Sequence, residues 1–184
     1  DRVFENPNAV SQAIEVKMEK GALIDASATE SGDGGTIVLW SDIKNPNSIT
    51  KAEGTVYAKG GSVSGKGGKI ETSGHVIEVD GIEVSTIQSD GDSGKWLLDP
   101  GNITITTSAN VSTPIPGSSG PSSSTSIHPN TIIAALASND VVIYTGNGGG
   151  AENITVNSPI TYTGAAKRTL TLKASNFIDV NANI

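Results

Sequence analysis

Residues 65–100 read GKGGKIETSGHVIEVDGIEVSTIQSDGDSGKWLLDP. Apolar residues alternate with polar ones at Ile77 and Val79 and again at Ile82 and Val84, and glycine-rich corners bound these runs. Alternation over a few residues between turn signals predicts strands with one buried face. The same pattern occurs twice earlier. GALIDASA, ESGDGG and TIVLWSD follow one another from Gly21, and GTVYAKGG, SVSGKGG and KIETSG from Gly54. Superposing the three stretches puts Ile24, Val56 and Ile82 in one column and Ala26, Ala58 and Val84 in the next. Beyond the glycine corner, Ile37, Ile70 and Trp96 align, followed by Leu39, Thr72 and Leu98. A degenerate period of about thirty residues predicts a solenoid, in which each turn stacks like residues on like, with strands ~4.8 Å apart. Val38 and Leu97 share an outward column, as isolated exposed residues or beneath a later segment.

Composition supports an all-β chain. The 184 residues include 22 glycines and only seven aromatic side chains (two Trp, three Tyr, two Phe). Glycine, Asn and Ser suit many turns, glycine through its freedom at positive φ. Residues 1–100 carry 16 Asp and Glu against 9 Lys and Arg, whereas 101–184 carry 3 of each, so the net charge of −7 lies in the first part. Nucleic acid is excluded as an expected partner, since phosphate binding needs concentrated positive charge. The chain has no cysteine, hence no disulfide and no thiolate metal site. No apolar run of about eighteen residues predicts a membrane-spanning helix. Without a leader and beginning at Asp1, the sequence reads as a mature or excised piece.

Three regions are expected. Residues 1–111 read as coils with glycine-pair corners, opening on a strand through Ile14, Val16 and Met18. Residues 112–126, STPIPGSSGPSSSTS, form a Ser/Pro-rich loop or linker. Residues 127–184 read as a short helix and further coils. The helix is expected within Ser126–Ser138, with Asn130 or Ser126 as cap and Ile132, Ile133, Leu136 and Ala137 on one face. It would pack on the solenoid, with Leu97 one residue it would cover. The alternation still running at Ile184 suggests further coils.

The ordered series GALIDASA, GDGGTIVLWSD, GTVYAKGG, GKGGKIETSG and SGKWLLDPGNITI resembles the large bacterial exoproteins of two-partner secretion, the filamentous haemagglutinin-like and haem-utilisation or adhesion group. The segments DVVIYTGNGGG, NITVNSPITYTG and LTLKASNFIDVNANI are similar to the stretch after WLLDP in those chains, so the resemblance spans roughly residues 20–184. It implies a right-handed parallel β-helix, part of a rod secreted to or displayed on the surface of a Gram-negative cell. Export would use an outer-membrane partner that recognises a domain outside this stretch. Asn6-Pro7-Asn8 is similar to a motif of that domain, but its context does not match and NPN recurs at 45–47, so both read as turns. Neighbouring coils of a longer chain, and a host-surface protein or glycan, are the implied partners.

Catalytic chemistry finds little footing in the sequence, and no cofactor is expected. His75 and His128 are the only imidazoles, both in expected exposed turns and neither in a nucleophile-elbow context. Asp80, Asp90, Asp92 and Asp99 are the acids that a polysaccharide-active β-helix enzyme would use, but all sit where turns favour Asp. Asp90 and Asp92 in SDGDSG would offer oxygens to calcium, yet the acidic residue completing an EF-hand loop is missing. GNGGG and GKGG lack the lysine-hydroxyl ending of a phosphate loop. Asn102, Asn110 and Asn153 open glycosylation sequons. The expected function is a non-enzymatic structural segment of an adhesin that displays loops for attachment. The alternatives are capture of a haem source or host protein through 112–126, and the polysaccharide enzyme.

Overall fold

The computed structural model describes residues 12–88, 93–108 and 124–184. Nine strands come first: β1 (Glu15–Met18), β2 (Leu23–Asp25), β3 (Thr36–Trp40), β4 (Ile49–Ala52), β5 (Thr55–Tyr57), β6 (Lys69–Ser73), β7 (Val76–Glu78), β8 (Glu83–Ser85) and β9 (Lys95–Asp99). They fall to three sheets in rotation, β1-β4-β7, β2-β5-β8 and β3-β6-β9. Then come β10 (Asn102–Ile105), β11 (Ser124–Ile127), helix α1 (Pro129–Leu136), β12 (Asp140–Thr145), β13 (Ile154–Val156), β14 (Leu170–Ala174) and β15 (Ile178–Val180). The third sheet continues as β3-β6-β9-β12-β14, and β11-β10-β13-β15 form a fourth. Every named strand pair is parallel, so the chain is a mainly β fold of parallel sheets with one helix.

Parallel register places like side chains on like. Ile37 lies beside Ile70 and Ile70 beside Trp96; Leu39, Thr72 and Leu98 form the adjoining column. Val141 and Ile143, then Leu170 and Leu172, extend the same two columns. Trp96 and Leu98 are completely buried. Thr72, polar within an apolar column, has a specific role: its Oγ1 accepts a hydrogen bond from Trp96 Nε1 at 3.1 Å. A buried indole N–H needs such an acceptor, because leaving it bare costs about 1–3 kcal/mol.

The structure corrects the sequence reading at several points. Three strands recur in each repeat, because Ile49–Ala52, which no column of the sequence alignment included, forms β4 between β1 and β7. Val84, not Ile82, joins Ile24 and Val56. The slip of two has a local cause. Gly21 and Gly81 both have positive φ (85° and 95°), and Ala22 N and Ile82 N close equivalent turns on Glu19 O and Val79 O. Ile82 is therefore a corner residue like Ala22, and the strand starts after it.

The expected helix start is a strand. Ser124–Ile127 pairs with β10 in parallel, and the N-cap is His128, whose Nδ1 accepts from Asn130 N at 3.1 Å, with Pro129 opening the helix. Pro129 suits that position because the first helical N–H has no partner within the helix. The buried residues of α1 are Pro129, Ile132, Ala135 and Leu136; Ile133 is half-buried, and the expected face residue Ala137 is the exposed C-cap. Val38 and Leu97 are half-buried, in one column with Glu71 between them.

The paired glycines work by compactness rather than by positive φ, which among the described residues occurs at Gly21, Gly32, Gly65, Gly81 and Gly149. A Cβ on Gly68 would collide with the Gly35 carbonyl oxygen, and one on Gly94 with that of Gly68. Backbones of successive turns touch there, as Lys69 N donates to Gly35 O (3.0 Å) and Lys95 N to Gly68 O (3.1 Å). By contrast a Cβ on Gly21 meets nothing within 4 Å. Gly68→Ala is expected to destabilise by about 3 kcal/mol or more through backbone overpacking, and Gly21→Ala by only ~1–2 kcal/mol, the cost of a left-handed alanine. Denaturant melts of the two variants check the order.

Candidate functional site

The strongest concentration of buried polar groups lies where the third-sheet strands end and the chain turns toward its next strand. Ser41, Ser48, Thr50, Ser73 and Asp99 are buried there. The Thr50 hydroxyl donates to Ser73 O (2.7 Å) and accepts from Ser41 N (3.1 Å), while the Ser48 hydroxyl donates to Asp42 O. These short side chains do the work of backbone partners at a corner where the ladder pauses. One column in, Glu71 is 3 % exposed and its Oε1 accepts from Ser73 Oγ at 2.7 Å.

Two loops meet over this corner. Ile43, from the turn after β3, is completely buried, and its carbonyl lies 3.1 Å from His75 Nδ1, which must carry a proton to donate to it. From the turn after β12, Asn147 Nδ2 donates to Asp99 Oδ2 at 2.6 Å. Glu152, 5 % exposed, folds back on that same turn beside Gly148. A side chain at Gly148 would collide with Glu152 Oε1. Burial raises the Glu152 pKa above the ordinary carboxyl range, opposed by the Gly148 N–H, the nearby His75 charge and the Gly150 N–H. His75 and Glu152 lie 77 positions apart in sequence (152 − 75), and no local pattern announces them.

The arrangement is a clasp on the GNGGG turn. Glu152 lies against its own loop at Gly148 and is nearly closed to solvent, so the acid organises the turn rather than a substrate. A second feature is a groove of about 370 Å³ lined by Lys17, Met18, Glu19, Lys51, Glu53, Glu78 and Asp80. Its lysines are paired, Lys17 with Glu19 at 2.6 Å and Lys51 with Glu78 at 3.1 Å.

The acids weighed for catalysis have structural partners. Asp80 accepts from His128 N (3.0 Å) and from the Thr131 hydroxyl (2.6 Å), and Asp99 is completely buried against Asn147. Asp90 and Asp92 lie outside the described residues, as do Asn110 and residues 112–123 of the Ser/Pro-rich tract. Asn102 Oδ1 accepts from Asn153 N (2.9 Å), and Asn153 Oδ1 accepts from Asn176 Nδ2 (2.8 Å), so both sequon asparagines belong to a ladder between turns. His75 and His128 are half-buried and structurally engaged, not exposed. Among the described residues no group of three or more His, Asp or Glu side chains is placed to hold a metal ion, and no helix is long and apolar enough to cross a membrane.

A folded-state pKa raised above the unfolded value means that the native protein binds the extra proton. The stability Glu152 contributes is therefore full below the unfolded carboxyl range and is lost as pH rises through its raised pKa. Unfolding free energies of wild type and Glu152→Gln, measured from about pH 4 to 7, should show wild type losing ground to the variant as pH rises; a constant difference would refute the assignment. No family model and no curated protein matches the chain, so its function is argued from its own residues and geometry.

Proposed function

We propose that this chain is a non-enzymatic shaft segment of a secreted or surface-exposed bacterial exoprotein, a right-handed parallel β-helix that extends a rod and displays loops for attachment. The observation that carries the reading is the rotation of β1 to β9 through three parallel sheets in register, each turn of chain adding one strand to each sheet. A stack of this kind lengthens by repetition, and its binding capacity resides in what the turns project. The resemblance to two-partner-secretion exoproteins supports placement at the outer surface of a Gram-negative cell and export through an outer-membrane partner. Further coils of a longer chain are the immediate neighbours in this reading. On β15, Ile178 and Val180 are 41 % and 52 % exposed beside the buried Ile154 and Val156, an apolar face that a further coil would cover in this reading. The asparagine ladder has a direction too: Asn176 and Asn181 donate back to Asn153 and Asn157.

An attachment segment binds without turnover. The purified chain, incubated with host cells and with a polysaccharide panel, is expected to bind cells or glycans and release no sugar product. Product release that Asp80→Ala or Asp99→Ala abolishes, with the fold intact, would replace this reading with the enzymatic one.

A further inference from the structure

Two ladders are interrupted at the same level of the stack. On one side β11 follows β10 in sequence but lies on the β7 side of it, ending the sheet that β10 leads. No register pairs join β7 to β11; instead Ile77 N donates to the side chain of Thr125, at 3.0 Å from Oγ1. On a second side the β2-β5-β8 sheet stops, and α1 packs against β8. Among the described residues, the third sheet alone passes this level with its pairing intact, from β9 to β12.

Helix α1 is fastened to the preceding turn at both ends. At its start, Asp80 accepts from His128 N and the Thr131 hydroxyl. At its finish, Asn139 Nδ2 and Ser138 Oγ donate to Val84 O (2.9 and 3.1 Å), and Thr86 Oγ1 donates to Asn139 Oδ1 at 2.9 Å. The fastenings of α1 are side-chain bonds, whereas the third sheet crosses the level by its β9–β12 ladder and the strands within either half are joined by backbone ladders.

We infer that this level is a built-in joint: on two sides the ladders of β1 to β9 and of β10 to β15 end against each other, the third sheet runs through from β9 to β12 as the hinge, and α1 is the two-point clasp that closes the open sides. The clasp can release at Asp80 while the ladders on either side stay paired, since local opening follows the boundaries between cooperative units. The inference needs only the ladder pairing and the α1 fastenings, and stands whether or not the chain is part of a rod.

Native-state hydrogen exchange on the whole chain tests it. In wild type, Ile77, Val84 and the α1 amides should exchange through an opening that leaves β6 and β13 protected. Asp80→Ala should speed exchange at the joint about tenfold or more, for loss of hydrogen bonds to a charged acceptor, and leave β6 and β13 unchanged. Asp80→Asn, which keeps an acceptor oxygen, should restore most of the protection. Equal acceleration at the joint, β6 and β13 in Asp80→Ala, or the same exchange free energy at all these positions in wild type, would overturn the joint.

Discussion

Parallel register between successive turns is the constraint on which the rest depends. With strands ~4.8 Å apart and in phase, each inward side chain is buried chiefly by its counterpart in the next turn. The demands on sequence are therefore columnar. Ile37, Ile70, Trp96, Val141 and Leu170 form one such column through five strands. Where a column enlarges to Trp96 it also needs a hydrogen-bond acceptor, and Thr72 in the next column supplies it. The glycine pairs obey the same constraint, since at Gly68 and Gly94 successive backbones approach too closely for any side chain.

Corners where the ladders pause must be satisfied in another way. Hydroxyls of Ser41, Ser48 and Thr50 close the buried corner after the third sheet, and Glu152 packs back on its own glycine turn. Asparagines continue from turn to turn outside the core. Several polar groups in this protein thus serve where strands end, and the half-buried Asp80 and the buried Asp99 belong to that work. The same economy holds at larger scale, where α1 stands in for a strand and side chains stand in for a ladder.

The columns of the third sheet are visible in the sequence because paired glycines punctuate them and because Ile, Leu and Trp alternate with Lys and Glu. Sheet β1-β4-β7 is harder to see. Its middle strand is ITKA, in which the buried positions are Thr50 and Ala52, so alternation of hydrophobicity vanishes although alternation of burial persists. Strand β11, STSI, is hidden for a similar reason: Thr125 is completely buried but reads as loop beside a serine-rich tract. Ile82 misled through its hydrophobicity, which suits a corner resting on the core as well as a strand. The clasp of His75, Glu152 and Asn147 could not be anticipated, because only the stacking of turns brings them to one corner.

The most direct test of in-register stacking is a double-mutant cycle on Trp96 and Thr72. Trp96→Phe and Thr72→Val, singly and together, remove the two halves of the indole–hydroxyl bond while keeping apolar bulk in both columns. Adjacent stacked partners should give a coupling of about 1 kcal/mol or more in unfolding free energy, Thr72→Val alone being costly because it strands a buried N–H. Additive effects would mean that Trp96 and Thr72 do not meet, and the register on which this account of the fold rests would be wrong.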